Sequence, residues 1–166
     1  FGLDAAGIDL SARAADLASR RYPGVLWLVA NADRELPLAD ASVHLALSVT
    51  ARRNPRECAR VLIPGGRLIV ALPAADDQAE LRAAALGTAS AEDRVERVID
   101  EHAGLFVPRG RRTARERRLF TPAQLADLLL ATYRGGRRGR RERATALEHL
   151  AVTLSHEIVV FEPAVP

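Results

Sequence analysis

Methionine and lysine are both missing from this chain, and cysteine occurs once. A single cysteine, Cys58, makes an internal disulfide or a cysteine zinc cluster impossible. A reducing cytoplasm is therefore the expected compartment. No stretch approaches the roughly 18 consecutive apolar residues of a membrane span, and no charged-then-apolar leader opens the chain. The absence of Met, with Phe1 in first place, predicts a native start elsewhere or removed. The absence of Lys makes every basic residue an arginine, which keeps its charge and offers planar, bidentate contacts to phosphate.

What remains is the composition of one ordinary globular domain. The 166 residues are 48% hydrophobic and 27% charged. The formal net charge is +3, but it is unevenly spread. Residues 109–143 hold twelve Arg against Glu116, Asp127 and Glu142, so this segment is near +9 and the remainder near −6. That is the electrostatic footprint of a polyanion binder. The other reading is a solvated arginine-rich face in a GC-rich genome, and the sequence leaves both open.

Strand and helix patterns alternate along the chain. Ala6–Asp9 is a short apolar run ending in an acid, and Ser11 follows as the N-cap of a helix that Pro23-Gly24 stops. Val25–Ala30 and Val43–Val49 read as strands buried on both faces. Asn54 caps the next helix, with Pro55 at its first position. Pro64-Gly65-Gly66 turns into a third buried strand at Arg67–Leu72, with the glycines supplying the tight turn. Helices are expected at Asp77–Leu86, Ala91–Ala103, from Thr121-Pro122 to Leu130, and from the Gly/Arg loop at Tyr133–Arg141 through Leu150. Val107–Leu119 reads as an arginine-studded strand and Val152–Phe161 as the last one. Such alternation predicts an α/β fold with a mainly parallel sheet, helices on both faces, and a ligand site outside the carboxyl ends of the strands.

Several residues have structural readings. His44 is expected on a partly exposed strand face. His102 ends a helix, where a cation suits the dipole. Asp76-Asp77 reads as a helix cap, Cys58 as a small buried residue and Trp27 as core. Ser155, His156 and Glu157 are consecutive on a strand, so they point alternately to opposite faces and form no triad.

The chemistry-bearing positions fall in one order. Asp9 stands where a strand gives way to a helix, the place from which an acid accepts hydrogen bonds from ribose hydroxyls. Asn31-Ala32-Asp33 follows the next strand, then Leu-Pro-Leu-x-Asp-x-Ser-Val at Leu36–Val43, then Pro-Gly-Gly. This ordered set resembles the part of class I S-adenosylmethionine-dependent methyltransferases that follows the glycine-rich loop. Gly7-Ile8-Asp9-Leu10-Ser11, Ala18–Pro23, Ser48–Asn54 and Thr121-Pro122 further resemble the 23S ribosomal RNA guanine-N1 methyltransferases, a family that includes macrolide-resistance members. The resemblance implies a single Rossmann-like domain over 1–166, with 1–75 as the cofactor half and 76–166 facing the substrate. It implies S-adenosyl-L-methionine as cofactor and a ribosomal RNA hairpin loop as partner, with no metal. Asp9 would hold the cofactor ribose, Asn31, Ala32 and Asp33 would lie near its adenine, and Ser48, Val49 and Thr50 near the sulfonium and target base. Arg52, Arg134, Arg137, Arg138, Arg140 and Arg141 would face the RNA. No residue presents itself as a general base.

The chain departs from the family in three ways. It has no cysteine zinc ribbon, and no first strand, Gly-x-Gly loop and following helix. It reads Thr50-Ala51-Arg52 where the family pattern has Phe-Ala-Pro. Two further classes of function stay open at this point: a non-catalytic RNA-binding remnant, and a methyltransferase acting on a small molecule.

Overall fold

A computed structural model describes residues 4–87, 92–131 and 147–164. The first strand, β1 (Ala6–Asp9), runs parallel to β2 (Leu26–Val29), with Gly7 opposite Trp27 and Asp9 opposite Val29. Between them lies helix α1 (Ala12–Arg21). The side chain of Ser11 accepts from the Ala14 N–H at 3.2 Å, the N-cap its residue type leads one to expect. Then come β3 (Val43–Val49), α2 (Pro55–Val61) and β4 (Leu62–Pro73). Asn54 caps α2 through the Arg56 N–H at 3.1 Å, and Pro55 occupies the first helical position, where no N–H is needed. Helices α3 (Ala79–Leu86) and α4 (Val95–His102) lead to β5 (Phe106–Phe120). Helix α5 (Pro122–Ala131) and β6 (Leu150–Pro163) complete the described elements. At the start of α5, Thr121 and Gln124 exchange backbone–side-chain bonds at 3.0 and 3.5 Å, a capping box.

The strands form two sheets, β1-β2 and β3-β4-β6-β5. As the chain advances along β4 from Arg67 to Ala74, its partners on β6 step back from Glu162 to Ser155. Likewise Leu105 meets Ala164 while Arg111 meets Glu157. Strand β6 therefore runs against both its neighbours.

The chain divides into two compact units. One is made of the described parts of Phe1–Val70, Ile99–Gly110 and Val160–Pro166. Its packed centre includes Val61, Leu68, Phe106 and Phe161, all nearly inaccessible. Burying a residue such as Phe161 contributes on the order of 1.5–3 kcal/mol. Gly66 sits so close to the neighbouring strand that a side chain would lie 3.1 Å from the His44 carbonyl. The other unit is Ala71–Val98 with the described parts of Arg111–Val159. Its core is Leu81, Ala85, Phe120, Leu125, Ala126, Leu129 and Val152, with Leu128, Leu147, Leu150 and Leu154 packed against it.

Several sequence expectations are corrected here. Strands β2 and β3 are not buried on both faces: Leu26 and Val29 are exposed, as are Leu45, Leu47 and Val49 at 49%, 64% and 59%. An apolar run records what a strand can bury, and among the described residues nothing covers these faces. Trp27 is half-buried over Gly7 rather than core. His102 ends α4, as expected, but not as a surface residue. It is fully buried, stacked on Phe161 at 4.8 Å, and its Nε2 accepts from Arg53 Nε at 3.4 Å. Asp77 does not cap α3; its Oδ1 accepts the buried Ser155 N–H at 2.8 Å, and Gln78 holds the cap position with no side-chain bond. The helix expected through Leu150 does not reach it, because Leu150 opens β6. Cys58 is buried, as expected, and burial pushes its thiol pKa up.

Candidate cofactor site

The carboxyl ends of β1, β2 and β3 meet in one cluster of loops. At the end of β1, the Asp9 carbonyl accepts the Ala30 N–H at 3.1 Å, which fixes the two strand ends side by side. Asp9 Oδ1 accepts the Ser11 N–H at 2.7 Å. Among the described residues no donor meets its Oδ2, and the residue is exposed. One carboxylate oxygen thus orders the strand-to-helix turn, and the other meets no donor among the described residues.

The loop after β2 is held by itself and by the segment after β3. Asn31 Oδ1 accepts the Asp33 N–H at 3.0 Å, an Asx turn. The Asn54 N–H donates to Ala32 O at 3.1 Å, and Asn54 Nδ2 to Arg34 O at 3.0 Å. Arg52 Nη1 donates to Asp33 Oδ2 at 3.2 Å. Asn54 was legible as a helix cap, but its second task, clasping residues 32–34, was not.

The turn after β3 is strained. Thr50 has φ of 49°, a left-handed conformation that a β-branched residue adopts at a cost of order 1–3 kcal/mol. The carbonyl of Ala51 accepts both Ser48 Oγ at 3.5 Å and Arg53 Nη1 at 3.1 Å. Ser48 is buried and Val49 is exposed at the rim. Asp9, Asn31, Ala32, Asp33, Ser48, Val49, Thr50 and Arg52 are therefore parts of one connected loop system. Of the residues expected to face RNA, Arg52 alone is among those described, and it is engaged with Asp33. Arg134, Arg137, Arg138, Arg140 and Arg141 all lie outside the described residues, so their expected place beside the substrate stays an expectation from sequence.

A clamp that the sequence did not announce holds the loop between β2 and β3. Arg60 Nη1 donates to Leu38 O at 2.9 Å and to Asp40 Oδ1 at 2.6 Å, and its Nη2 donates to Leu36 O at 2.9 Å. Glu57 receives Arg60 Nε at 2.8 Å and the Leu36 N–H at 2.8 Å. The Arg60 hydrogen bond, then that of Leu36, holds the Glu57 carboxyl at about 2, well below its ordinary 4.5. The i,i+3 spacing of Glu57 and Arg60 on a helix was the available signal.

Four of the six arginines of β5 are engaged within the chain. Arg109 Nε meets Glu162 at 2.8 Å, and Arg111 Nε meets Glu157 at 2.7 Å. Arg115 meets Asp76 at 3.0 Å and Arg117 reaches Glu80 at 4.0 Å. Alternation along the strand puts these four on one face. That face is a ladder of internal ion pairs rather than a field of free positive charge.

Comparison with known proteins fits this geometry. Residues 1–70 match the model of the methyltransferase domain family. The chain is 44% identical over 80 residues to a 23S rRNA (guanine(748)-N(1))-methyltransferase of Streptomyces fradiae, covering 47% of this chain and 29% of that protein. It is 36% identical over 124 residues to a Micromonospora griseorubida protein assigned by name as a 23S rRNA (guanine-N(1)-)-methyltransferase, covering 74% of this chain and 41% of that protein. A geranyl diphosphate methyltransferase solved in complex with SAM superposes with a TM-score of 0.55 at 15% identity, over 99% of this chain and 70% of its own. The chain shares the fold of that solved methyltransferase, and residues 1–70 are similar to the methyltransferase domain family. The chain spans less than half the length of either curated relative.

Within that fold, ligands bind where this loop cluster lies, outside the carboxyl ends of the strands. No described helix is long and apolar enough to cross a membrane.

Proposed function

We propose that this chain carries the nucleoside-binding part of an S-adenosylmethionine-dependent methyltransferase whose substrate is guanine N1 of a ribosomal RNA hairpin loop. The observation that carries the reading is the convergence of Asp9, the 31–33 loop and the 48–52 turn at three neighbouring strand ends. The residues present fit a nucleoside. Asp9 Oδ2 is an exposed acceptor suited to a ribose diol, and the loop at 31–33 offers backbone groups to an adenine edge. The cofactor, when bound, supplies an electrophilic methyl group. Asp9 would orient the ribose, while the strained Thr50 turn would fix the rim past which a base must approach. Positioning and exclusion of water are the protein's main tasks in such a transfer, and a loop base is the least costly to unstack. The two curated relatives, by their names, support ribosomal RNA and guanine N1.

No glycine-rich loop stands among the described residues to receive the methionine end of the cofactor, so binding by the 166-residue chain should be weak. Calorimetry with S-adenosylhomocysteine tests the reading. Weak binding that is abolished by Asp9→Ala and restored in part by Asp9→Glu is the expected result. Equal affinity in wild type and Asp9→Ala would sink it. The β5 ion-pair ladder counts against a remnant that binds RNA through that face of the strand, because Arg109, Arg111, Arg115 and Arg117 already face carboxylates.

A further inference from the structure

A β-branched residue keeps a left-handed backbone only where its surroundings over-determine it. The Thr50 turn therefore needs a support, and that support leads away from the loop cluster into the core. The carbonyl of Ala51 accepts the Arg53 Nη1–H at 3.1 Å, but the Ser48 hydroxyl only at 3.5 Å. Arg53 is the firmer of the two ties. Its side chain is 14% exposed, and the same guanidinium meets the Glu101 carboxylate at 3.9 Å. Its Nε–H goes to His102 Nε2 at 3.4 Å. His102 is fixed in turn by the core: it is wholly buried, stacked on Phe161 at 4.8 Å, with Phe106 tilted against it at 5.7 Å. The Leu105 N–H closes the helix end on the His102 carbonyl at 3.2 Å. All of these residues belong to one compact unit. The chemistry of the pair also fixes the imidazole. A guanidinium has donors and no acceptor, so His102 Nε2 must present a lone pair, and the ring is neutral with its proton on Nδ1.

We propose that Arg53 is a positioning residue for the turn at 48–51, and that the neutral His102 ring is the acceptor that aims it. The proposal rests on the reading of that turn as the rim of the cofactor and target-base site. A guanidinium is planar and rigid, so its Nε–H and Nη1–H point in fixed, divergent directions. With Nε seated on His102, Nη1 emerges at the place where the Ala51 carbonyl receives it. That carbonyl cannot swing without turning the peptide that follows the strained residue. The packing of Phe161 and Phe106 is in this way carried to the rim, through a bond between residues 49 apart in sequence. Charge alone would not do the same. A lysine ammonium is a single mobile head, and it has no rigid fork with which to hold His102 and Ala51 at once.

Nitrogen-15 NMR of the imidazole in the purified 166-residue chain reads the tautomer, and the Thr50 amide–Hα coupling reads its φ. The expected result for His102 is a proton on Nδ1 and none on Nε2. Arg53→Lys keeps the charge and loses the fork, while His102→Phe keeps the stack and loses the acceptor. Each should move the Thr50 coupling from its wild-type value and leave the amide resonances of residues 6–9 unchanged. His102→Gln, which keeps an acceptor without the ring, should bring the coupling back towards wild type. If the His102 variants fail to fold, Arg53→Lys decides alone, since that side chain reaches solvent. A proton on His102 Nε2, or a Thr50 coupling that Arg53→Lys leaves as it was, would overturn the proposal. Calorimetry with S-adenosylhomocysteine separates this result from the functional reading. A roughly three-fold or greater loss of affinity is expected in Arg53→Lys. An altered turn with unchanged, Asp9-dependent affinity would leave the function and strike the role of Arg53. An altered turn in a chain without Asp9-dependent binding would defeat the function and leave Arg53 as the support of the turn.

Discussion

The indole of Trp27 lies over the backbone of Gly7, its register partner across the β1-β2 pair. A Cβ at residue 7 would overlap the ring, and the ring is held in place by its Nε1 donating to Tyr22 O at 3.3 Å. Gly7 is therefore required by close approach rather than by backbone conformation. Gly7→Ala should push the indole away and destabilise the pair by about 1–3 kcal/mol, the usual cost of overpacking. Trp27 is the sole tryptophan, so its emission in a urea titration reads this change directly. An unchanged midpoint and emission maximum would show that the indole has room to move.

Glu57 gives unit one a defined acid dependence. Its folded-state pKa of about 2 lies below its ordinary 4.5. The folded chain therefore favours the ionised form. The stability this contributes is complete above about 4.5 and is lost as pH falls toward 2. Urea midpoints, read from Trp27 emission between those values, should fall with pH in wild type. The fall should be shallower in Glu57→Gln, which is the less stable protein near neutrality. Parallel slopes in the two proteins would remove Glu57 as the cause.

Local signals were legible because they act over a few residues. Ser11, Asn54 and Thr121 cap helices as their types and spacing require, and the arginine-studded stretch at 107–119 is indeed a strand. The failures share one cause: burial is decided by what arrives from elsewhere in the chain. The apolar runs at 25–30 and 43–49 look the same whether or not another layer covers them. His102 looks like a helix-end cation until Phe106 and Phe161 are brought round it. Asp77 looks like a cap until β6 presents the Ser155 N–H, 78 residues on. In the candidate site, Asp9 and the 31–33 loop were readable from their place after strands. The Arg52–Asp33 pair and the Arg60–Asp40 bond span 19 and 20 residues, and only the i,i+3 spacing of Glu57 and Arg60 is a local sign of the clamp.

Asp77 supports unit two through one buried acceptor. Its side chain is almost inaccessible, and Ser155, whose N–H it receives, is wholly so. Asp77→Ala should leave that donor unsatisfied and cost about 1–3 kcal/mol. Asp77→Asn keeps a carbonyl oxygen in place and should cost less than half as much. Thermal unfolding followed by circular dichroism compares the two. Equal losses would mean that charge, and not the acceptor, is what β6 needs.

The arginines separate into two sets that should behave differently towards RNA. Arg109, Arg111, Arg115 and Arg117 face carboxylates of the same chain. Burying a phosphate against them would mean displacing Glu162, Glu157, Asp76 or Glu80. Glu80 is committed to the fold: burial pushes its pKa up, but the N–H and hydroxyl of Thr153 outweigh this and hold it low. Arg137, Arg138, Arg140 and Arg141 flank or follow Gly135-Gly136 and Gly139 in sequence and lie outside the described residues. If these four contact phosphates of a single-stranded loop, each contributes about 0.7 to the slope of log affinity against log salt, or roughly −3 together. Replacing the four by Gln should flatten the slope by about that amount and weaken all hairpins alike, leaving preferences among them unchanged. Replacing the four β5 arginines by Gln should leave the slope as it was and lower thermal stability instead. If the β5 set flattens the slope and the 137–141 set does not, the ladder opens to RNA and the assignment of the two sets is reversed. If neither does, the small-molecule methyltransferase reading displaces the ribosomal one.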